Sequence, residues 1–150
     1  MRLVMLVASA VLLWPVALGA ALVDRLDHHT SVASSAVYLA ASRVCHQRAD
    51  RSFQTRGAQW PVCARCAGLY LAGPVGVLMA FAGRRRRPGT LGTAVLVAAV
   101  PTAVAWVAEM VFSLPVSAWL RAASAAPLGA ALAFAFIGIA SPGSGSNRID

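Results

Sequence analysis

Lysine is absent from this chain of 150 residues, and acids are scarce. Five Asp and Glu stand against thirteen basic residues, every one of them Arg. Only 12% of the sequence is charged and 59% is apolar, whereas an ordinary soluble domain has about 25% and about 45–50%. With a mean hydropathy of +0.69, so little charge excludes a soluble globular domain and points to an integral membrane protein. The length allows one bundle, residues 1–150, and not several domains. The missing lysine leaves guanidinium as the only permanent side-chain cation; a GC-rich coding bias explains that more simply than a demand for Arg chemistry. No phosphate-cradling glycine loop, nucleophilic serine arrangement or nucleotide fingerprint occurs, so those classes have no support. The net charge of +8 does not indicate nucleic acid as a partner, because the arginines lie between apolar runs, where they orient a chain in lipid.

A bilayer-spanning helix needs about 20 mainly apolar residues. Four runs qualify: about 3–23, 67–82, 91–112 (interrupted only by Glu109) and 122–140. They predict an all-α polytopic membrane bundle of four transmembrane helices. Pro15, Pro74, Pro101 and Pro127 fall in these runs or at their ends, which membrane helices tolerate. Gly73, Gly76, Gly129 and Gly138 would let helices approach closely. The first run has a rival reading as a cleaved signal peptide ending near Ala17-Leu18-Gly19, although it stays apolar long enough to span. Residues 141–150 read as a flexible tail.

The connection 24–66 carries the chemistry. Ser31 to Val44 predicts a short amphipathic helix capped by Ser31, with Val32, Ala36, Leu39, Ala40 and Val44 near one face. That helix either lies on the bilayer, presenting Cys45 and His46 at its end, or packs into the core. All three cysteines follow: Cys45-His46-Gln47-Arg48, then Cys63-Ala64-Arg65-Cys66 running straight into the second span. Three thiolates with His46 suit a tetrahedral site for zinc or another thiophilic ion, copper(I) or an iron–sulfur centre included; His28 and His29 are alternative ligands, or a solvated pair. A Cys-x-x-Cys at a helix N-terminus equally suits thiol redox, with Arg65 adding positive charge and Cys45 relaying the disulfide. A third possibility is a structural or assembly subunit whose cysteines brace the fold.

Further polar candidates surround these motifs. Glu109 lies inside the third span and Arg121 opens the fourth, so both fall on one membrane face. They form either a plain ion pair or part of the site. Arg48 and Arg51 flank Asp50, as an anion-binding pair or a salt-bridged turn. Trp60 and Tyr70 read as anchors at the lipid interface. Arg2 and the run Arg84–Arg87 place the N-terminus and the loop between spans two and three in the cytoplasm, and the cysteine loop outside. The arginines of the cysteine loop argue the other way, unless the site engages them.

Cys45-His46-Gln47, Arg51-Ser52-Phe53 and Cys63-Ala64-Arg65-Cys66-Ala67-Gly68-Leu69-Tyr70 together resemble the small bacterial and archaeal membrane proteins grouped as domain of unknown function 2085. The downstream pattern of that group, an Arg followed by Thr-Gly and another Gly, is met more loosely by Arg121, Ser124-Ala125 and Gly129. The resemblance implies a multi-helix integral membrane protein and supplies no reaction. The expectation is therefore a bilayer protein with an interfacial metal site at Cys45, His46, Cys63 and Cys66. Gln47, Arg48, Arg51, Arg65, Glu109 and Arg121 stand around it, and a thiol–disulfide oxidoreductase is the alternative.

Overall fold

Each apolar run folds as a helix of the length its composition requires. A computed structural model describes residues 2–27, 31–82 and 88–140. The order is α1 (Arg2–Leu26), α2 (Val32–Ser42), a 3-10 turn (Ala49–Arg51), β1 (Ser52–Thr55), β2 (Ala58–Cys63), α3 (Ala64–Ala82), α4 (Pro88–Val111) and α5 (Ala118–Ala140). Among the described residues, α1, α3, α4 and α5 are long and apolar enough to cross a bilayer. Compared with the sequence reading, α3 starts earlier, at Ala64, and α5 at Ala118. Each of the four holds its proline inside. His28, His29, the run Arg84–Arg87 and residues 141–150 lie outside the described residues.

The closest packing joins α3 to α5. A Cβ on Gly68 would lie 2.0 Å from the carbonyl oxygen of Ala122, one on Gly76 2.0 Å from that of Ala130, and one on Gly129 2.1 Å from that of Leu69. The two backbones therefore touch directly, as small residues permit in lipid, where apolar side chains gain little by leaving their surroundings. Gly73 serves α1 instead: its Cβ would sit 2.9 Å from Val11. Gly138 has no such role, with only a Leu91 side-chain carbon at 3.4 Å and another at 4.0 Å. Helix α4 packs mainly on α5 and leaves Leu96, Val97, Val100 and Val104 exposed, a lipid-facing surface.

Helix α2 begins where sequence placed its cap. Ser31 Oγ accepts from the Ser34 N–H at 3.1 Å, while the Ser31 N–H and hydroxyl donate to Asp24 Oδ2 at 3.0 and 2.8 Å. The end of α1 thus fixes the start of α2. The apolar stripe faces away from the bundle: Val32 is 89% exposed, Leu39 62% and Val44 63%. Its opposite face, with Ser34 and Ala41 buried, rests on the protein. An apolar face turned outward beside four spans is the arrangement of a helix lying in the bilayer interface, with its other side seated on the core.

The sequence reading contained no strands, yet residues 52–63 form an antiparallel hairpin pairing Ser52 with Cys63 and Thr55 with Ala58. Its two-residue turn puts Arg56 at φ 47° and Gly57 at φ 81°, the left-handed pair that matches strand twist in tight hairpins. Trp60, expected as a lipid anchor, belongs to this hairpin: its ring lies 5.1 Å from Phe53 and its indole N–H donates to Thr55 Oγ1 at 2.9 Å. Phe53 in turn meets Trp119 of α5 at 4.8 Å, docking the hairpin on the bundle.

Gly68→Ala and Gly129→Ala are each expected to lower the thermal midpoint in detergent by an overpacking cost of about 1–3 kcal/mol or more. Gly138→Ala should leave it unchanged. Equal midpoints for all three variants would refute direct backbone contact.

Candidate functional site

The up-and-down topology brings the C-termini of α1 and α4 and the N-termini of α3 and α5 to one end of the bundle, beside α2 and the hairpin. Three local devices then place the cysteines. Cys45 hangs from the end of α2, its N–H donating to Ala41 O at 2.9 Å. Cys63 closes β2 immediately before α3, and Cys66 sits in the first turn of that helix. The Cys63 N–H donates to Cys45 Sγ at 3.1 Å, joining the two segments. The result is three free thiols whose sulfurs all lie within 4.8 Å of one another.

Gln47 is what holds the first segment in place. At φ 47° its side-chain amide donates to Tyr38 O at 2.8 Å and Pro61 O at 2.7 Å, while Gln59 Nε2 donates to Gln47 O at 2.5 Å. The Tyr38 hydroxyl donates to Gln59 O at 2.7 Å. Loop, α2 and β2 are thereby clasped through amide groups, so Gln47 lines the site with its donors committed. No local sequence signal identifies Tyr38 and Gln59 as its partners, which come from separate elements.

Cys45, His46, Gln47, Arg48, Arg51, Cys63, Arg65, Cys66 and Arg121 all line a single cavity of about 310 Å³ at this end; the alternative ligands His28 and His29 lie outside the described residues. His46 is on its wall, exposed, and its imidazole is outside the sulfur cluster. Arg48 forms a two-point pair with Asp50, at 3.0 Å on each oxygen, at the exposed rim. Glu109 is not on the cavity wall; its side chain is 7% exposed, clamped by Arg65 (2.8 Å) and Arg121 (2.5 Å). The expected Glu109–Arg121 pair is thus present, but as half of a three-residue network. Arg65 gives its charge to Glu109 and not to the thiols, and its Nε is buried with no hydrogen-bond partner.

Electrostatics distinguishes Cys63 from an ordinary thiol. The Cys66 side chain donates a hydrogen bond to it, which stabilises the thiolate most; burial opposes this. The backbone N–H groups of Cys66 and Arg65, otherwise unsatisfied in the first turn of α3, and the Cys45 side chain add to it. Together they hold the Cys63 thiol down to about 5.

In metal-free protein, alkylation of Cys63 followed by peptide mapping is expected to persist down through neutral pH and to fall off near 5, where the thiolate takes up its proton. Cys66→Ala should move that fall-off upward, because the principal donor is gone. Glu109→Gln leaves two guanidinium groups uncompensated and should cost about 3–5 kcal/mol in thermal or denaturant unfolding. The exposed Asp50→Asn change should have no measurable effect on stability.

Residues 45–135 match the family model described as predicted membrane protein DUF2085, a stretch that contains all of these candidates. A 38-residue segment is 45% identical to an uncharacterized protein of Methanothermobacter thermautotrophicus (strain Delta H). That match covers 25% of this chain and 34% of the relative, so it spans about a third of that protein. No solved structure matches the chain. With the family model covering more than half of the sequence, over the same residues that build the thiol cluster, the chain belongs to the DUF2085 family of predicted membrane proteins.

Proposed function

We infer that the protein binds a thiophilic metal ion, zinc foremost, through Cys45, Cys63 and Cys66. The observation that carries this reading is the convergence of three unbridged sulfurs from two separate segments within 4.8 Å. Metal–sulfur bonds of about 2.3 Å in a tetrahedron require sulfurs about 3.8 Å apart, a distance reached from here by small side-chain rotations. His46 on the cavity wall supplies the fourth ligand or orients one. Thiolate charge is offset by the N-terminus of α3 and by the guanidinium charge of the cavity that Asp50 and Glu109 leave unneutralised. With His46 as an orienting group, three protein sulfurs leave one position facing the cavity, the pattern of a reactive site; with His46 as ligand the tetrahedron is closed, the pattern of a structural one.

A second reading has its own support in the Cys63 thiolate at the start of α3. A Cys63/Cys66 dithiol would reduce a partner disulfide, giving up two electrons and two protons and closing to the Cys63–Cys66 disulfide. Cys45, bonded to the Cys63 N–H, would then exchange with that disulfide.

The protein is proposed to sit in a prokaryotic plasma membrane with the site outside and the N-terminus in the cytoplasm. Three arginines of the cysteine loop are occupied locally: Arg48 on Asp50, Arg65 on Glu109 and Arg25 over the Tyr38 ring. Charges so engaged weigh less against the Arg84–Arg87 run as topology signals.

Metal analysis of the purified protein with thiol titration before and after chelation separates the two chemistries. The metal reading expects about one ion per chain and thiols that react only after chelation. Reversible loss of two thiols with oxidant, and no stoichiometric metal, would replace it with the redox reading.

A further inference from the structure

The cavity holds more cationic donors than the thiol chemistry uses. Arg48, Arg51, Arg65 and Arg121 line it, against two carboxylates that pair with them, Asp50 and Glu109. Two of the four guanidinium charges are therefore in excess. The N-termini of α3 and α5 point to the same end, and each adds a partial positive charge of about half a unit.

Several of these donors are unused. The Arg51 guanidinium makes no hydrogen bond among the described residues, and its Nε only approaches Asp50 at 3.8 Å. Arg65 Nε is buried without an acceptor. Arg121 Nη1 reaches only the Asp50 carbonyl, at 3.4 Å. Arg65 Nε bears the cost of a buried N–H without a partner, about 1–3 kcal/mol, while the Arg51 fork stands on the cavity wall with its donors open to an acceptor.

We propose that this cavity binds a phosphate-class oxyanion, held chiefly by Arg51, Arg65 and Arg121, above the three thiols. The arginines arrive from different elements: Arg48 and Arg51 from the 3-10 turn and its flank, Arg65 from α3, Arg121 from α5. A planar carboxylate offers two oxygens along one edge and satisfies one such fork. A tetrahedral phosphoryl group offers acceptors in several directions at once, which suits guanidinium groups converging from separate elements. The site also lies where spans end, at the depth of lipid headgroups, so the phosphate can be a free anion or part of a lipid. The proposal rests on the arginines and not on an ion at the sulfurs. Three thiolates around a divalent metal would carry one net negative charge, which the excess guanidinium charge outweighs.

The test titrates inorganic phosphate, with acetate as comparison, into the full chain in detergent at low salt, as isolated and after chelation. In parallel, nanodiscs of phosphatidylglycerol or phosphatidylcholine are analysed by native mass spectrometry for retained lipid. Saturable phosphate binding that exceeds acetate and weakens at least about tenfold in Arg51→Gln assigns a free anion. One phosphatidylglycerol retained per chain, displaced by phosphate and lost in Arg51→Gln, assigns a lipid headgroup. The Arg51 side chain makes no hydrogen bond among the described residues, only the 3.8 Å approach to Asp50, so this variant keeps the fold, as its thermal midpoint will show; Arg48→Gln is the second variant. The proposal is overturned if neither phosphate nor phosphatidylglycerol exceeds its comparison, or if Arg51→Gln binds as tightly as the parent. Phosphate binding in a protein found free of metal counts against the metal reading alone. Masked thiols with no phosphate binding count against this proposal alone.

Discussion

The Glu109 carboxylate between two guanidinium groups is the constraint on which the site end of the molecule depends. Burying an isolated carboxylate at the end of a membrane span is unfavourable, so α4 can end where it does only if α3 and α5 each bring an Arg to meet it. Arg65 and Arg121 do so, and this ties three helices together at one depth. The same contact fixes the first turn of α3, where Cys66 sits and from which Cys63 leads. Two cations for one anion also leave a net positive charge next to the thiols.

Around that clamp, the loop segments are organised by hydrogen bonds together with an apolar cluster. Gln47 joins α2 to β2, the hairpin carries Cys63 to the head of α3, and the Cys63 N–H meets Cys45 Sγ. Leu18, Ala41, Val62 and Ala67 form the apolar floor beneath Cys45. The thiols therefore stand between a dry floor and a cationic, solvent-accessible cavity. Such a boundary stabilises thiolate on one side and excludes water on the other.

Much of this was legible in the sequence. Span length and hydropathy sufficed for four helices, because lipid demands continuous internal backbone pairing, and Ser31 stood out as a cap by residue type. The three cysteines declared a site through their placement at a span boundary. What stayed hidden depended on long-range contact. Glu109 is 44 residues from Arg65, and no local pattern shows that this Arg turns from the thiols towards an acid. Gln47 sits between Cys45-His46 and Arg48 like one more site residue, yet its amide is spent on two carbonyls of the fold. The hairpin escaped because its strands are four and six residues long in a polar stretch; the Arg56-Gly57 turn was its one clear mark. Gly68 was visible as a motif residue, but its backbone contact with Ala122 depends on the register of α3 against α5.

That backbone seam has a consequence for how the three sulfurs respond to whatever they meet. With carbonyl against glycine and no side chain as cushion, α3 has no room to roll or slide on α5 without opening the seam. Cys66 and its neighbour Cys63 therefore keep a nearly constant mutual spacing. Cys45 comes from a separate segment, yet it is buried in the apolar floor and tied to the Cys63 N–H. The cluster is in effect a preset gap between two anchored pieces, sized before anything enters it.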